Sequence, residues 1–419
     1  MYMQKLATEY SSNKGSYKNY WETSDYAKLV TPVQNMHLPV YRWYSFKHSF
    51  SRNLVKDLIK RLNLTNDDTV LDPFCGAGTT LLACKEIGIN ATGLDLMPLS
   101  VFISNAKIGN YDKQIIRNYS EKINFPDNFK IKFCKYFEDI SKYFPEDNLK
   151  KAFYLKEYIE NIDDNTSRDL FNLAFLSIME EISYARKDGA FVRIVKNKVT
   201  KDPLKAFNEK ISLFIQDIDF LNSLPVTSSI AKISDARKTG LRKGSITSVI
   251  TSPPYPNRHD YTRIYYLELM MGFYSDPNDI KNLRYGLIRS HVEAREKYKV
   301  KDYIPPDQLV NIIEKMKKID LPNRNVISLV EGYFKDMHIF LQEMERVLKF
   351  EGTVSVVIGD SRYGGINVPA GELLIEIANN IGLDLTENIV ARDKGNSPQQ
   401  MGRFGKTLSK ESIITLKKL

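Results

Sequence analysis

The sequence predicts an α/β protein with a mostly parallel sheet, a terminal antiparallel pair of strands and a largely helical insertion. Three observations predict it. Residues 69–107 alternate short apolar strands with helix-length segments. Two strand-like runs end in special turns, one in Cys75-Gly76-Ala77-Gly78 and one in Ser252-Pro253-Pro254-Tyr255. Two further runs near 387–391 and 412–416 read as strands that close the sheet antiparallel to each other.

Residues 51–62 read as a helix, with Leu54, Val55, Leu58, Ile59 and Leu62 on one face. Thr69-Val70-Leu71-Asp72 reads as a strand that runs through Pro73-Phe74 into the glycine turn. The helix Leu81 to Ile87 follows, with Gly88 as its stop. Asn90 to Asp95 is a second strand, and Pro98 starts a second helix. Residues 108–225 interrupt the sheet; Phe171, Phe175, Ile178, Met179 and Ile182 have helical spacing and read as core packing. The sheet resumes with Ile230-Ala231-Lys232-Ile233 and Ser248-Val249-Ile250-Thr251. After a long connection over 256–350 comes the β-branched run Thr353 to Ile358, then a helix from Gly371 to Asn380.

The glycine turn is not a phosphate-binding P-loop, because no Lys-Ser/Thr follows Gly78. It is a poor dinucleotide fingerprint, because Thr79-Thr80-Leu81 brings no third glycine. A nucleoside without a pyrophosphate fits best, and S-adenosylmethionine is such a ligand; a ligand-free structural turn is the competing explanation. Asp95 stands at the end of the next strand, where an acid binds ribose hydroxyls. In Ser252-Pro253-Pro254-Tyr255, neither proline donates to a ladder, so the strand must stop and leave Ser252 and an aromatic at the sheet's carboxyl edge. A plain Pro-Pro turn is the competing explanation there.

Taken together, these segments resemble the amino-group DNA methyltransferases of the Rossmann-like class I methyltransferase fold. The serine of Ser252 to Tyr255 resembles the cytosine-N4 branch more than the adenine branch. Residues 41–50, with Phe46, His48 and Phe50, resemble the segment that packs over the cofactor's methionine part. Asp72, Phe74, Gly76, Gly78 and Thr79 lie in the cofactor loop, Asp95 matches the ribose acid, and Asp235 of Ser234-Asp235-Ala236-Arg237 resembles the acid that meets the adenine amino group. Asp72 also suits a strand end, and Asp235 a helix N-cap. The tail Gly395 to Met401 and the run Glu411 to Leu416 also look like the end of this family.

The resemblance implies methyl transfer from S-adenosylmethionine to the N4 amino group of a cytosine flipped out of duplex DNA. It implies that Ser252 and the Pro253 carbonyl accept hydrogen bonds from the amino group, and that Pro254 and Tyr255 complete the catalytic set, with Tyr255 stacking on the base. A restriction-modification setting with a cognate endonuclease is expected of such an enzyme, although no residue points to that partner. Residues 1–40 are expected to form an arm over cofactor or DNA. Arg258, Arg263 and Arg289, mixed with Tyr261, Tyr265 and Tyr266, suit phosphate contact and base stacking. Residues 1–107 and 226–419 are assigned to catalysis and 108–225 to target recognition.

The 419 residues carry 60 Lys+Arg against 51 Asp+Glu, a net +9 that favours a polyanionic partner, although Lys-rich composition alone also produces such an excess. No apolar run approaches a membrane span, no signal core opens the chain, and Cys75, Cys84 and Cys134 suggest neither disulfides nor zinc, so a cytoplasmic setting is expected. The absence of a Pro-Cys pair argues against ring-carbon methylation. Adenine-N6 methylation, RNA guanine-N2 methylation and a non-catalytic DNA-binding subunit remain as alternatives.

Overall fold

The computed structural model describes residues 20–22, 26–126, 128–130, 137–187, 189, 191–300, 302–395 and 408–419. Cys134 and most of the tail motif that starts at Gly395 lie outside these residues. Eight strands form one sheet: β1 (Tyr20–Glu22), β2 (Thr69–Asp72), β3 (Asn90–Asp95), β4 (Ile230–Ile233), β5 (Ile246–Thr251), β6 (Leu348–Gly359), β7 (Leu383–Gly395) and β8 (Leu408–Lys418). Their spatial order is β1-β7-β8-β6-β5-β2-β3-β4. Neighbours from β6 to β4 pair in parallel, whereas β8 runs antiparallel between β6 and β7.

The chain moves outward from β2 through β3 to β4, then returns to start β5 on the other side of β2. Strand order therefore reverses between β2 and β5, which opens a crevice at their carboxyl ends. The glycine turn follows β2 and the Pro-Pro turn follows β5, so both sit on that rim.

Alternate strand residues feed two cores. Val70, Ile250, Val357 and Ile413 face one layer, and Leu71, Val249, Val356 and Ile414 face the other. The second layer holds the long helix Asn325–Val347, with helices Asp307–Lys317 and Ala370–Asn379 beside it. The first layer holds α1 (Arg52–Arg61), α2 (Thr79–Glu86) and α3 (Pro98–Ile108). Ser51 caps α1 by accepting from the Asn53 amide. α2 starts two residues before the expected apolar run, because Gly78 at φ 72° turns the chain at once; Gly88 at φ 78° ends it. β6 is longer than the run 353–358, since it enters through a left-handed Glu351 at φ 60° and pairs on both sides.

The segment 108–225 is largely helical, with helices Lys113–Ser120, Glu146–Glu160, Asn165–Ser177 and Pro203–Asn222, and it adds a small hairpin, Ala185–Lys187 with Val192–Ile194. Phe171, Phe175, Ile178, Met179 and Ile182 are fully buried, although the helix carrying the first two ends at Ser177. They join one continuous core with Leu81, Ile103 and Trp43. Helix Pro203–Asn222 clamps the start of the segment 41–50. Asp217 accepts from the Val40 amide at 2.9 Å, from Arg42 at 2.5 Å and from the Trp43 indole at 3.0 Å, and Trp43 stacks on Phe214 at 4.6 Å. Among the described residues, no helix is long and apolar enough to cross a membrane.

Candidate active site

Two cavities open side by side at the crevice. Phe46, Phe74, Gly76, Asp95, Asp235 and Pro254 are among the residues that line the first. Pro253, Tyr255, Phe50, Arg392 and Glu411 are among those that line the second. Ser252, His48 and Tyr261 line both. The turn after β5 thus forms the partition, with its residues directed alternately to one side and the other.

The first cavity is walled by acids, a glycine turn and aromatic rings. Asp95 ends β3, where its carboxylate accepts from the Gly76 amide at 3.2 Å and the Met97 amide at 2.9 Å, and burial pushes its pKa up. Gly76 takes φ 48°, and a Cβ there would stand 3.3 Å from the Phe46 ring. Phe46 in turn stacks on Tyr265 at 4.8 Å, so this wall is fixed. Among the described residues no lysine or arginine lines the cavity, while Asp95 and Asp235 do. With Asp235 ion-paired to Arg237 and Lys297, the uncompensated acid is Asp95, and a wall without a cation to hold a phosphate suits a cationic, phosphate-free nucleoside, which fits S-adenosylmethionine.

Asp72, Gly78 and Thr79 stand behind this wall. Asp72 is 2 % exposed and accepts from Thr80 and Thr251, each at 2.7 Å, and from the Phe74 amide at 3.2 Å. It ties the end of β2 to the start of α2 and to the residue before Ser252. Burial raises its pKa to about 6, against the opposing pull of those hydrogen bonds. Gly78 admits no side chain, since a Cβ would lie 2.8 Å from the Ser104 backbone. Thr79 meets Ser49 at 3.0 Å and so links the loop to the N-terminal segment. Asp235 lines the cavity, yet its carboxylate is already engaged by Arg237 at 2.8 Å, Lys297 at 2.9 Å and Tyr298 at 3.3 Å, and these donors hold its pKa low despite burial.

In the second cavity Tyr255 lies flat against β6. A Cβ on Gly359 would be 2.8 Å from its ring, so only glycine permits this approach. Its hydroxyl donates to Glu411 at 2.9 Å, and burial first, then the Glu411 charge, push its pKa far up, so it stays a donor. Glu411 also accepts from Arg392 at 2.5 Å. His48 and His259 face each other here, with ring centroids 5.0 Å apart.

The three arginines separate. Arg258 is exposed, in a left-handed backbone at φ 70°, held by its amide's hydrogen bond to the Ser290 carbonyl at 3.0 Å. Arg263 is exposed but ion-paired with Asp260 and Glu293. Arg289 is buried, pairs with Asp336 at 2.7 Å and so sits inside the fold, away from a surface that DNA could touch. A run of basic residues cannot by itself show which of them has an acid waiting in another helix. Asp217, Gly359, Arg392 and Glu411 were not singled out from sequence. Glu411 stands in the family-like closing run, but strand pairing is what brings it to the cavity.

A sheet that is parallel but for β8, set between β6 and β7, and a cavity suited to S-adenosylmethionine at the switch point define a Rossmann-like, S-adenosylmethionine-dependent methyltransferase. Residues 2–106 match the family model described as DNA methylase. The chain is 31% identical to the type II methyltransferase M.BsoBI of Geobacillus stearothermophilus, over 93% of this chain and 88% of that one. It is 28% identical to M.AvaI of Nostoc sp. over 93% and 89%, and 19% identical to M.MvaI of Kocuria varians over 90% and 90%. The chain belongs to this family: it is an N4/N6-type DNA methyltransferase.

Proposed function

We propose that the enzyme methylates the N4 amino group of a cytosine flipped out of duplex DNA, as the modification half of a restriction-modification system. The observation that carries this is the shared wall: Ser252 borders both cavities, so a group on one side faces a group on the other across a single side chain. When bound, S-adenosylmethionine supplies a methyl made electrophilic by its sulfonium.

The chain's own residues do the rest. An exocyclic amino group is a weak nucleophile, because its lone pair is delocalised into the ring. Ser252 and the Pro253 carbonyl accept hydrogen bonds from its N–H groups, which localises that lone pair and aims it along the line of transfer. Tyr255, pinned by Gly359 and Glu411, offers the face on which the base rests. Gly76, Asp95 and Phe46 hold the cofactor's nucleoside and methionine parts. Serine ahead of the two prolines supports cytosine over adenine.

Incubation of plasmid DNA with enzyme and cofactor, followed by nucleoside chromatography, tests the base. N4-methylcytosine is expected; N6-methyladenine as the sole product would overturn the cytosine assignment and leave an adenine enzyme.

A further inference from the structure

The second cavity receives two charged side chains from the far strands of the sheet. Arg392 lies on β7 and Glu411 on β8, paired across the ladder. The register slips between Val390 and Arg392, so β7 carries a bulge there. A bulge re-aims the side chain that follows it, and here it turns a charged residue toward the cavity from a strand whose preceding residues, Ile389 to Ala391, are buried. The Glu411 side chain is 3% exposed and is the sole acid lining the cavity among the described residues. Its two oxygens accept from Tyr255 and from Arg392 Nε, so it acts as an anchor rather than as a base. Among the described residues, no partner is found for the two terminal amino groups of Arg392, whose side chain keeps 27% exposure.

We propose that Arg392 is a specificity residue: its terminal amino groups donate to N3 and O2 of the flipped cytosine, and Glu411 positions the guanidinium. This rests on the proposed function in taking a flipped base as the occupant. A guanidinium held through Nε presents two parallel N–H donors, which match two adjacent acceptors. Cytosine has such a pair beside its amino group. Adenine has N1 and then a C–H, which would leave half of the fork unused. With Ser252 and Pro253 facing the amino group, Arg392 completes the Watson–Crick edge, and Tyr255 takes the ring face.

The test is a cycle between residue and base. kcat/KM is measured on duplexes with cytosine or 3-deazacytosine at the target, for wild type, Arg392→Lys and the double variant Arg392→Gln with Glu411→Gln. The double variant removes both charges, so no buried acid is left unpaired. The analogue lacks the N3 acceptor; its altered amino reactivity is common to all the proteins and cancels in the cycle. Wild type should lose about 10- to 100-fold on the analogue, and both variants should lose a comparable factor on cytosine yet distinguish the two bases little. The Kd of S-adenosylhomocysteine should be unchanged, which shows that the fold is intact. Independent, multiplying losses would overturn the proposal and place Arg392 on a phosphate or in a purely structural role. A wild type that methylates adenine and not cytosine would instead overturn the proposed function.

Discussion

Ser252 borders both cavities but makes no claim on the fold comparable to its neighbours. Pro253 is buried, Thr251 is tied to Asp72, and Tyr255, which also meets the Ser252 hydroxyl, is locked by Gly359 and Glu411, so the serine is presented by residues with anchors of their own. Its removal should therefore be felt in the reaction. For Ser252→Ala we expect kcat to fall about 100-fold, the scale of losing one preorganised hydrogen-bonding group at a reacting centre, with cofactor Kd and thermal stability unchanged. Equal losses in turnover and cofactor affinity, read by single-turnover kinetics and calorimetry, would contradict this role. Arg258 shows what residue-scale analysis of sequence misses: its left-handed backbone, a costly conformation for a residue other than glycine, lies just beyond the tetrapeptide, after Pro256 and Asn257.

At the scale of elements, Asp72 joins three: β2, α2 and β5. Its pKa is raised from 3.8 to about 6 by burial. A carboxylate whose folded pKa is raised favours the protonated form in the folded state, so the associated stability is present in full below pH 3.8 and lost as pH rises through about 6. Asp72→Asn does not titrate and should hold its stability over that window. The Tm of the variant relative to wild type should rise between pH 4 and 6 and level off above, by an amount corresponding to about 3 kcal/mol. A constant difference in Tm across that range would show that Asp72 titrates normally. The strands around Asp72 were legible from local pattern, because β2, β3 and β5 are short apolar runs, and glycine and Pro-Pro chemistry set the turns after β2 and β5. The glycine loop and Pro-Pro turn were legible for the same reason. The interior acids were not. Asp217, Asp336 and Glu411 act on residues far along the chain, and their partners are defined only once helices Pro203–Asn222 and Asn325–Val347 and strands β7 and β8 are packed.

At the scale of the whole molecule, the insertion does two things. Its interior supports catalysis, since its core is continuous with that of α2 and α3 and its Asp217 clamps the segment leading to Phe46. Excision would strip that support, so a deletion cannot separate specificity from cofactor binding. Its hairpin faces outward: Arg186, Phe191, Ile194 and Lys196 are exposed on or beside Ala185–Lys187 and Val192–Ile194. Basic side chains beside an exposed aromatic suit a DNA backbone, and the net charge of +9 favours the approach of a polyanion. Point changes on and beside the hairpin therefore serve where a deletion would not. Arg186→Ala and Lys196→Ala should each weaken DNA binding and flatten the dependence of log K on log salt concentration by about 0.9, while the Kd of S-adenosylhomocysteine stays at the wild-type value. Binding titrations at several salt concentrations read this directly, and an unchanged salt slope in both variants would remove the hairpin from the DNA interface.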